Sequence, residues 1–542
     1  MAERVRLSAG LRTEIHSIGA ITHKFNADMS VPGAFAARPP RQVVVSISSI
    51  RLRGFLMGVL TAASELLELS TTLHKLIPPR TGDVDRTLEL REQRFRRLLR
   101  YANANSPFHR RRLQGRDLAT CRIEDLPTLS KPEMMANLDD VFTDRSLRRA
   151  DIEAFMADHA NLGVYFKDKY ALCHTSGSQG QPALVVQDKH AIITSFAAQF
   201  ARGNKIKRRF LPHIGRLVNP ARMVIITQRP GFYPSSTFFN YFPRVATPYI
   251  KLQRMSVFDP IEEIVQRLND FQPTFITGYT SSLEYLAREQ EAGRLKLREG
   301  GKLEQMNSMS EPLPPAVAER IETAFGVHVT NSYSMAECMA LSCGCPVCRG
   351  SHLNSDLAIL EVVDADNRPV PKGTPGSKVL LTNLYNLVQP IIRYEIDDIV
   401  TMSESSCPCG NLLPLIESVG GRAKDQLWIE VDGQSRDLPI YVFLAALDNE
   451  TNLAEHQILQ TGVNTFVLRA AAQAGKELSA ERLRAYVHQS LASEGIADII
   501  KLDVELVERI LPDKSGKVSR AKNLYGQASG AGQSVSASCA IV

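Results

Sequence analysis

The sequence predicts an α/β fold: a large N-terminal domain of mixed α/β subdomains plus a small β-barrel, followed by a small α+β C-terminal domain. Three observations carry this expectation. The chain has 542 residues, and at roughly 100–200 residues per domain that length implies several domains. Its middle alternates short β-rich runs with helical patterns. After a Gly-Gly pair, a separate strand–helix–strand pattern closes the chain.

The elements follow in order. Residues 1–80 read as an accessory N-terminal segment, broken at Pro32-Gly33 and Pro39-Pro40, with a helix-like run over Leu52–Leu76 and a joint at Pro78-Pro79. Val84 to Asn103 is charged and helical, with Phe95, Leu98, Leu99 and Tyr101 as its apolar stripe. Val185-Val-Gln, Met223–Thr227 and Thr274–Thr277 read as strands, and Ile261–Phe271 and Ser282–Glu291 as helices. Leu357–Asp364 and Lys378–Thr382 are strands joined by Pro- and Gly-rich turns, so residues 357–402 suggest the small barrel. Gly420-Gly421 is the expected break between domain 81–421 and domain 422–525. Beyond it, Asn464–Ala471 and Lys501–Val507 read as strands and Ser479–Leu491 as a helix. Residues 526–542 are rich in Gly, Ser and Ala and are expected to form a disordered tail.

Composition narrows the class. Apolar content of 44% and charged content of 23% exclude a wholly disordered, collagenous or disulfide-scaffold chain. The net charge of +6 sits at the front: residues 1–100 hold 16 Lys/Arg against 9 Asp/Glu, and the rest holds 48 against 49. A near-neutral body argues against nucleic acid as a partner. The apolar run Phe55–Ala63 is too short for a membrane span of about 20 residues. Glu3, Arg4 and Arg6 interrupt any signal-peptide core, so a cytoplasmic location is expected. Six of nine cysteines lie between Cys338 and Cys409, which in a reducing compartment suggests a metal before disulfides.

Five segments carry chemistry. Thr175-Ser-Gly-Ser-Gln-Gly-Gln-Pro182 combines glycines, which let backbone N–H groups approach phosphate oxygens, with hydroxyl donors. It lacks the Gly-Lys-Ser/Thr ending of a Walker A loop, and read alone it fits a polar surface turn equally well. The others are Asn331-Ser-Tyr-Ser-Met-Ala-Glu337, Pro390-Ile-Ile-Arg-Tyr-Glu-Ile-Asp-Asp398, Gly421-Arg-Ala-Lys-Asp-Gln426 and Pro512-Asp-Lys-Ser-Gly-Lys-Val-Ser-Arg520.

In this order and spacing, the five segments resemble the adenylate-forming (ANL) superfamily, and within it the phenylacetate–CoA ligase-like family. The resemblance covers roughly residues 85–525 and extends to Leu99-Arg-Tyr-Ala, Ser106-Pro-Phe-His-Arg110 and Asp125-Leu-Pro-Thr-Leu-Ser-Lys131. It implies an AMP-forming ligase: a carboxylic acid, aryl or arylalkyl, reacts with MgATP to give acyl-AMP. The acyl group then passes to a thiol, that of CoA. Transfer to an amine, a hydroxyl or a protein thiol is the same-class alternative, and a non-catalytic nucleotide- or acyl-binding relative is the other-class one. A homodimer is left open.

The resemblance also assigns residues. It implies that Thr175, Ser176, Gly177, Ser178 and Gly180 hold the ATP phosphates, and that Ser310, Glu311 and Pro312 lie along adenine. Tyr333 is implied to stack on adenine, with Ser334 beside it, and Glu337 to place Mg²⁺. Asp398 is implied to take the ribose hydroxyls, with Arg422 near them. Lys424 falls at the hinge of a mobile C-terminal domain. Lys517, with Lys514 as a nearby competitor, is implied to be that domain's adenylation lysine. The chain departs from the family pattern at Ser178-Gln179, where two threonines are usual, at Ala183, where lysine is common, and at Ala336, where a phosphate-contacting threonine is usual. The acyl pocket is expected from Phe232–Tyr241 and Gly278–Ser282, on position alone.

Cys343-Gly-Cys-Pro-Val-Cys348, His352 and Cys407-Pro-Cys409 supply a Cys₃His set for structural Zn²⁺. A similar pattern in part of the family selects Cys345, His352, Cys407 and Cys409, with Cys343 and Cys348 as alternates. Buried reduced thiols are the competing reading.

Overall fold

The computed structural model describes residues 64–76, 84–175, 182–203, 219–227, 231–243, 246–422, 427–431, 433–438, 443, 447, 450, 452–493, 495–512 and 518–525. The chain divides into two units, Met1–Val59 and Leu60–Val542, and the first lies outside the described residues. The expected tail over 526–542 lies outside them too, as does most of segment 1–80, of which residues 64–75 are helical.

Helix α1 (Val84–Asn105) buries Phe95, Leu98, Leu99 and Ala102. That i, i+3, i+4, i+7 set occupies one face of a helix. Tyr101, expected in the stripe, is instead 41% exposed. It follows Leu99 by two residues, and two residues turn a helix by about 200°. Leu98 and Leu99 are fully buried, and each contributes on the order of 1.5–3 kcal/mol.

Strands β1 (Tyr170–His174) and β2 (Leu184–Asp188) form an antiparallel hairpin, followed by helix α2 (Lys189–Arg202). Strands β3 (Ala221–Thr227), β4 (Ile250–Ser256), β5 (Phe275–Gly278), β6 (Gln305–Met309) and β7 (Val329–Ser332) make a parallel sheet in the order β4-β3-β5-β6-β7. Helices α3 (Ile261–Phe271), α4 (Thr280–Glu291) and α5 (Pro315–Phe325) lie in the successive crossovers. Val224, Ile226, Ile276, Met306 and Val329 of the sheet pack with Leu268, Leu283, Leu286, Ile321 and Phe325 of the helices. The continuous apolar run of β3 follows from burial on both faces of a parallel sheet. β3 connects outward to β4, and β4 crosses back to β5 on the other side of β3. Ligands of open α/β sheets bind outside the carboxyl ends of strands at such a reversal.

Residues 357–402, where the small barrel is expected, supply β10 to β13, which belong to two antiparallel sheets. One is β10-β11-β12 and the other β13-β14-β9-β8. The ranges are β8 (Ser342–Gly344), β9 (Ser351–Leu353), β10 (Ala358–Val363), β11 (Lys378–Asn383), β12 (Tyr394–Ile396), β13 (Asp398–Met402) and β14 (Leu415–Arg422). Gly373 and Gly376 tie the two by donating to the carbonyls of Met402 and Val400 at 2.7 and 3.0 Å. Gly420-Gly421 lies near the end of β14, which stops at Arg422. The pairing runs from Ile399↔Gly421 to Val400↔Val419, so Gly420 is the extra residue of a bulge.

Buried ion pairs cross-link the large region. Arg202 grips Asp356 bidentately at 2.7 and 3.0 Å, Arg94 of α1 adds a bond of 2.9 Å to the same carboxylate, and Arg202 Nε donates to the Leu76 carbonyl. Arg393 pairs with Glu361 at 2.9 and 3.1 Å.

Residues 427–524 build a core of their own. Strands β15 (Trp428–Val431) and β16 (Gln434–Asp437) pair, and β17 (Leu453–Gly462), β18 (Thr465–Ala472), β19 (Lys501–Val507) and β20 (Ala521–Asn523) form a sheet in the order β19-β18-β17-β20. Helix α6 (Ala480–Ser493) packs Leu483, Val487 and Leu491 on Phe466 and Leu468 of that sheet.

Candidate active site

The motif residues gather at the carboxyl ends of the later strands of the parallel sheet. Ser310 and Glu311 follow the carboxyl end of β6, and Tyr333 follows that of β7. Ser310 has φ +66°, a left-handed conformation that turns the chain sharply out of the strand. Glu311 then reaches the first turn of α4: the Ser281 N–H donates to its Oε2 at 2.8 Å and the Ser281 hydroxyl to its Oε1 at 3.2 Å. A carboxylate there satisfies otherwise unpaired helix N–H groups. The same Oε1 accepts the Val518 N–H at 2.9 Å. Residue 518 belongs to the C-terminal region and directly follows Lys517.

The Tyr333 hydroxyl donates to Asp398 Oδ2 at 2.7 Å. Asp398 opens β13, where its backbone pairs with that of Arg422. Ser334 leads into the Met335–Cys338 bridge that presents Glu337. The Glu337 carboxyl is buried and lies above its ordinary range. Burial is the main cause and the Asp398 charge adds to it; the Tyr394 hydroxyl bond and Lys131 oppose it. Sequence reading gave Tyr394 and Lys131 no role, although both lie in quoted segments; only the fold brings them to Glu337.

Thr175 closes the base of the β1–β2 loop. Its N–H donates to the Ala183 carbonyl at 3.0 Å, and its hydroxyl accepts the Ala183 N–H at 2.9 Å. Cys173 and Val185 of the hairpin pack on Ala336, which sets the loop base beside Glu337. Ser176, Gly177, Ser178, Gly180, Lys424, Lys514 and Lys517 lie outside the described residues. In the segments expected to form the acyl pocket, Arg254 Nη2 donates to the buried Ser236 hydroxyl at 2.7 Å, and His174 packs edge-on against Tyr233.

A second constellation joins β8, β9 and the turn before β14. The ligand atoms of Cys345, His352, Cys407 and Cys409 all lie within 4.8 Å of one another. Cys345 Sγ is 3.5 Å from Cys407 Sγ, and His352 Nε2 is 3.2 Å from Cys409 Sγ. Four bonds of about 2.0–2.3 Å in a tetrahedron fit separations of this size. His352 Nδ1 donates to the Leu413 carbonyl at 3.1 Å, which leaves Nε2 as the lone-pair donor. The N–H groups of Val347, Cys348 and Asn411 donate to Cys345 and Cys409 sulfurs at 3.3–3.4 Å. Of the alternates, Cys348 approaches Cys407 at 3.6 Å, whereas Cys343 turns to the Ala198 carbonyl and Gln199.

A family model described as AMP-binding enzyme matches residues 89–381, more than half of the chain. The chain belongs to the AMP-binding enzyme family. It is 27% identical over 357 residues to the phenylacetate-coenzyme A ligase of Thermus thermophilus, covering 63% of this chain and 71% of that protein. It is 22% identical over 401 residues to Protein CapK of Staphylococcus aureus, covering 70% and 77%. Its fold is similar to that of 2-hydroxyisobutyryl-CoA ligase crystallised in the postadenylation state with R3-HIB-AMP, with a TM-score of 0.61 at 20% identity over 82% of this chain and 91% of that one. Among the described residues, no helix is long and apolar enough to cross a membrane.

Proposed function

We propose that this protein is an ATP-dependent, AMP-forming acid–CoA ligase. One observation carries the reading: Glu311, Tyr333, Glu337 and Asp398 converge at the carboxyl edge of the parallel sheet, and Val518 docks there on Glu311. The family and the named likeness to a phenylacetate-coenzyme A ligase support it.

In this reading the acid, aryl or arylalkyl, attacks the α-phosphate of ATP, releasing pyrophosphate and leaving acyl-AMP. Asp398 accepts the ribose hydroxyls, and Tyr333 both steers Asp398 and faces adenine, with Ser310, Glu311, Pro312 and Ser334 along the base. Arg422 stands near the ribose. The Thr175–Gly180 loop holds the phosphates. The buried Glu337 carboxylate, crowded by Asp398, suits a Mg²⁺ ion, which supplies positive charge against the repulsion between anions. Lys517, which directly precedes Val518 in the chain, adds a second cation. The CoA thiol then displaces AMP.

Zinc is the ion we assign to Cys345, His352, Cys407 and Cys409. Four protein ligands leave no open position, so its role is structural. The eight described cysteines are all unbridged, which supports a reducing, cytoplasmic setting.

A panel of carboxylic acids tests the reading by pyrophosphate release with and without CoA. Acid-dependent release with thioester formation is expected. Acid-dependent AMP formation that ignores CoA points to an amine, hydroxyl or protein-thiol acceptor. Absence of ATP–pyrophosphate exchange with every acid overturns the enzyme reading in favour of a binding protein.

A further inference from the structure

We propose that Arg520 and Glu284 are positioning residues that clasp the C-terminal region onto α4 for the adenylation half-reaction. This rests on the ligase reading above. Arg520 Nη2 donates to Glu284 Oε2 in an ion pair whose side chains are 27% and 12% exposed. Glu284 sits one turn after Ser281, the residue that holds Glu311. Helix α4 therefore supports both anchors: it carries Glu284, which takes the Arg520 guanidinium, and through Ser281 it holds Glu311, which takes the Val518 N–H. They bracket the three residues that directly follow Lys517.

The anchored segment is itself fastened to the C-terminal sheet. The Arg520 carbonyl accepts the Ile458 N–H at 2.8 Å, and the Ser519 carbonyl accepts from Gln457 Nε2 at 2.7 Å. β20, which begins at the next residue, pairs in parallel with β17. A pull on Arg520 is thus transmitted to the whole sheet, and the pair fixes where residues 518–520 stand relative to the candidate active site.

His456 of β17 is half-buried beside the pair, and its Nε2 is buried with no hydrogen-bond partner among the described residues. Burial, then Arg520, push its pKa down to about 3, so it is neutral and brings no rival charge. Glu284 keeps Arg288 at 3.1 Å and Arg320 at 3.9 Å when Arg520 is removed. An Arg520 variant therefore leaves α4 without an unpaired buried charge, and folding is retained.

The experiment separates the half-reactions in the full chain with Arg520→Met, Glu284→Gln and the double variant. We expect each to slow acid-dependent ATP–pyrophosphate exchange at least tenfold. The double should fall no further than the worse single, as coupled partners do. Thioester formation from supplied acyl-AMP and CoA should stay within twofold of the parent. Equal losses in both half-reactions, additive losses, or exchange within twofold of the parent overturn the proposal. Hydrogen exchange gives an arm that needs no activity: peptides spanning 280–284 and 518–523 should exchange faster in Arg520→Met. Unchanged protection overturns the clasp, whereas a parent protein that adenylates no acid overturns only the ligase reading.

Discussion

The Tyr333 hydroxyl donates a 2.7 Å hydrogen bond to Asp398 Oδ2, joining the residue that follows β7 to the residue that opens β13. The bond orients a carboxylate between the two regions that would flank a nucleotide. Hydrogen bonds to charged groups contribute about 1.5–3 kcal/mol, so Asp398→Asn should weaken ATP binding by roughly 10–100-fold. Tyr333→Phe should have a smaller effect of the same sign. Calorimetric titration with a non-hydrolysable ATP analogue checks both, and unaltered affinity in Asp398→Asn would remove its ribose role.

Lys517→Ala should lower acid-dependent ATP–pyrophosphate exchange by roughly 10²–10³-fold, the loss typical of removing a transition-state charge contact. Thioester formation from supplied acyl-AMP should persist. An unchanged exchange rate would transfer the role to Lys514 or elsewhere.

Purified without chelators, the protein should carry one zinc per chain by elemental analysis. Cys407→Ser should lose the metal and lower Tm, because Cys345 after β8, His352 in β9 and the turn before β14 are then no longer held together. Zinc well below one per chain in the parent would sink the assignment.

Removing Asp356 from its buried pair with Arg202 should cost about 3–5 kcal/mol, since it strands the guanidinium where water cannot reach. Burial alone would raise the Asp356 carboxyl, but Arg202 and Arg94 together hold it below its ordinary value. Asp356→Leu should therefore be far less stable by denaturant titration than Arg202→Met with Asp356→Leu together.

His109 is buried, and its Nε2 donates to the Pro390 carbonyl at 3.0 Å. Burial, helped by Arg112 and opposed by that bond, pushes its pKa down from 6.5 to about 4. The folded state thus prefers the neutral ring more than the unfolded chain does. Its contribution is complete above pH ~6.5 and is lost as pH falls toward ~4, a decline of about 3 kcal/mol. His109→Gln should flatten that part of the stability–pH curve.

Much of this was legible in the residues because local patterns persist into the fold. Ile261–Phe271 and Lys501–Val507 were expected with the bounds they have, since an amphipathic helix and an alternating strand are set by period alone. The gathering of Cys345, His352, Cys407 and Cys409 agrees with the choice that the family resemblance implies, whereas spacing alone leaves Cys343 and Cys348 open. Tyr101 is exposed although it lies two residues from buried Leu99, because neighbours in sequence can occupy opposite helix faces. Gly420-Gly421 forms a bulge close to the end of β14, because a glycine pair serves a bulge as readily as a linker.

The sequence by itself therefore determined the α/β class and the AMP-binding family, and through a family resemblance it named the four residues whose ligand atoms gather. Tertiary structure alone decided which residues modify one another. Tyr394 and Lys131 reach Glu337, Tyr333 bonds Asp398, and Arg520 meets Glu284 across 236 positions of chain. Those pairings depend on strand order and crossovers that bring distant residues within a few ångströms, and no periodicity or spacing in the chain encodes such distances.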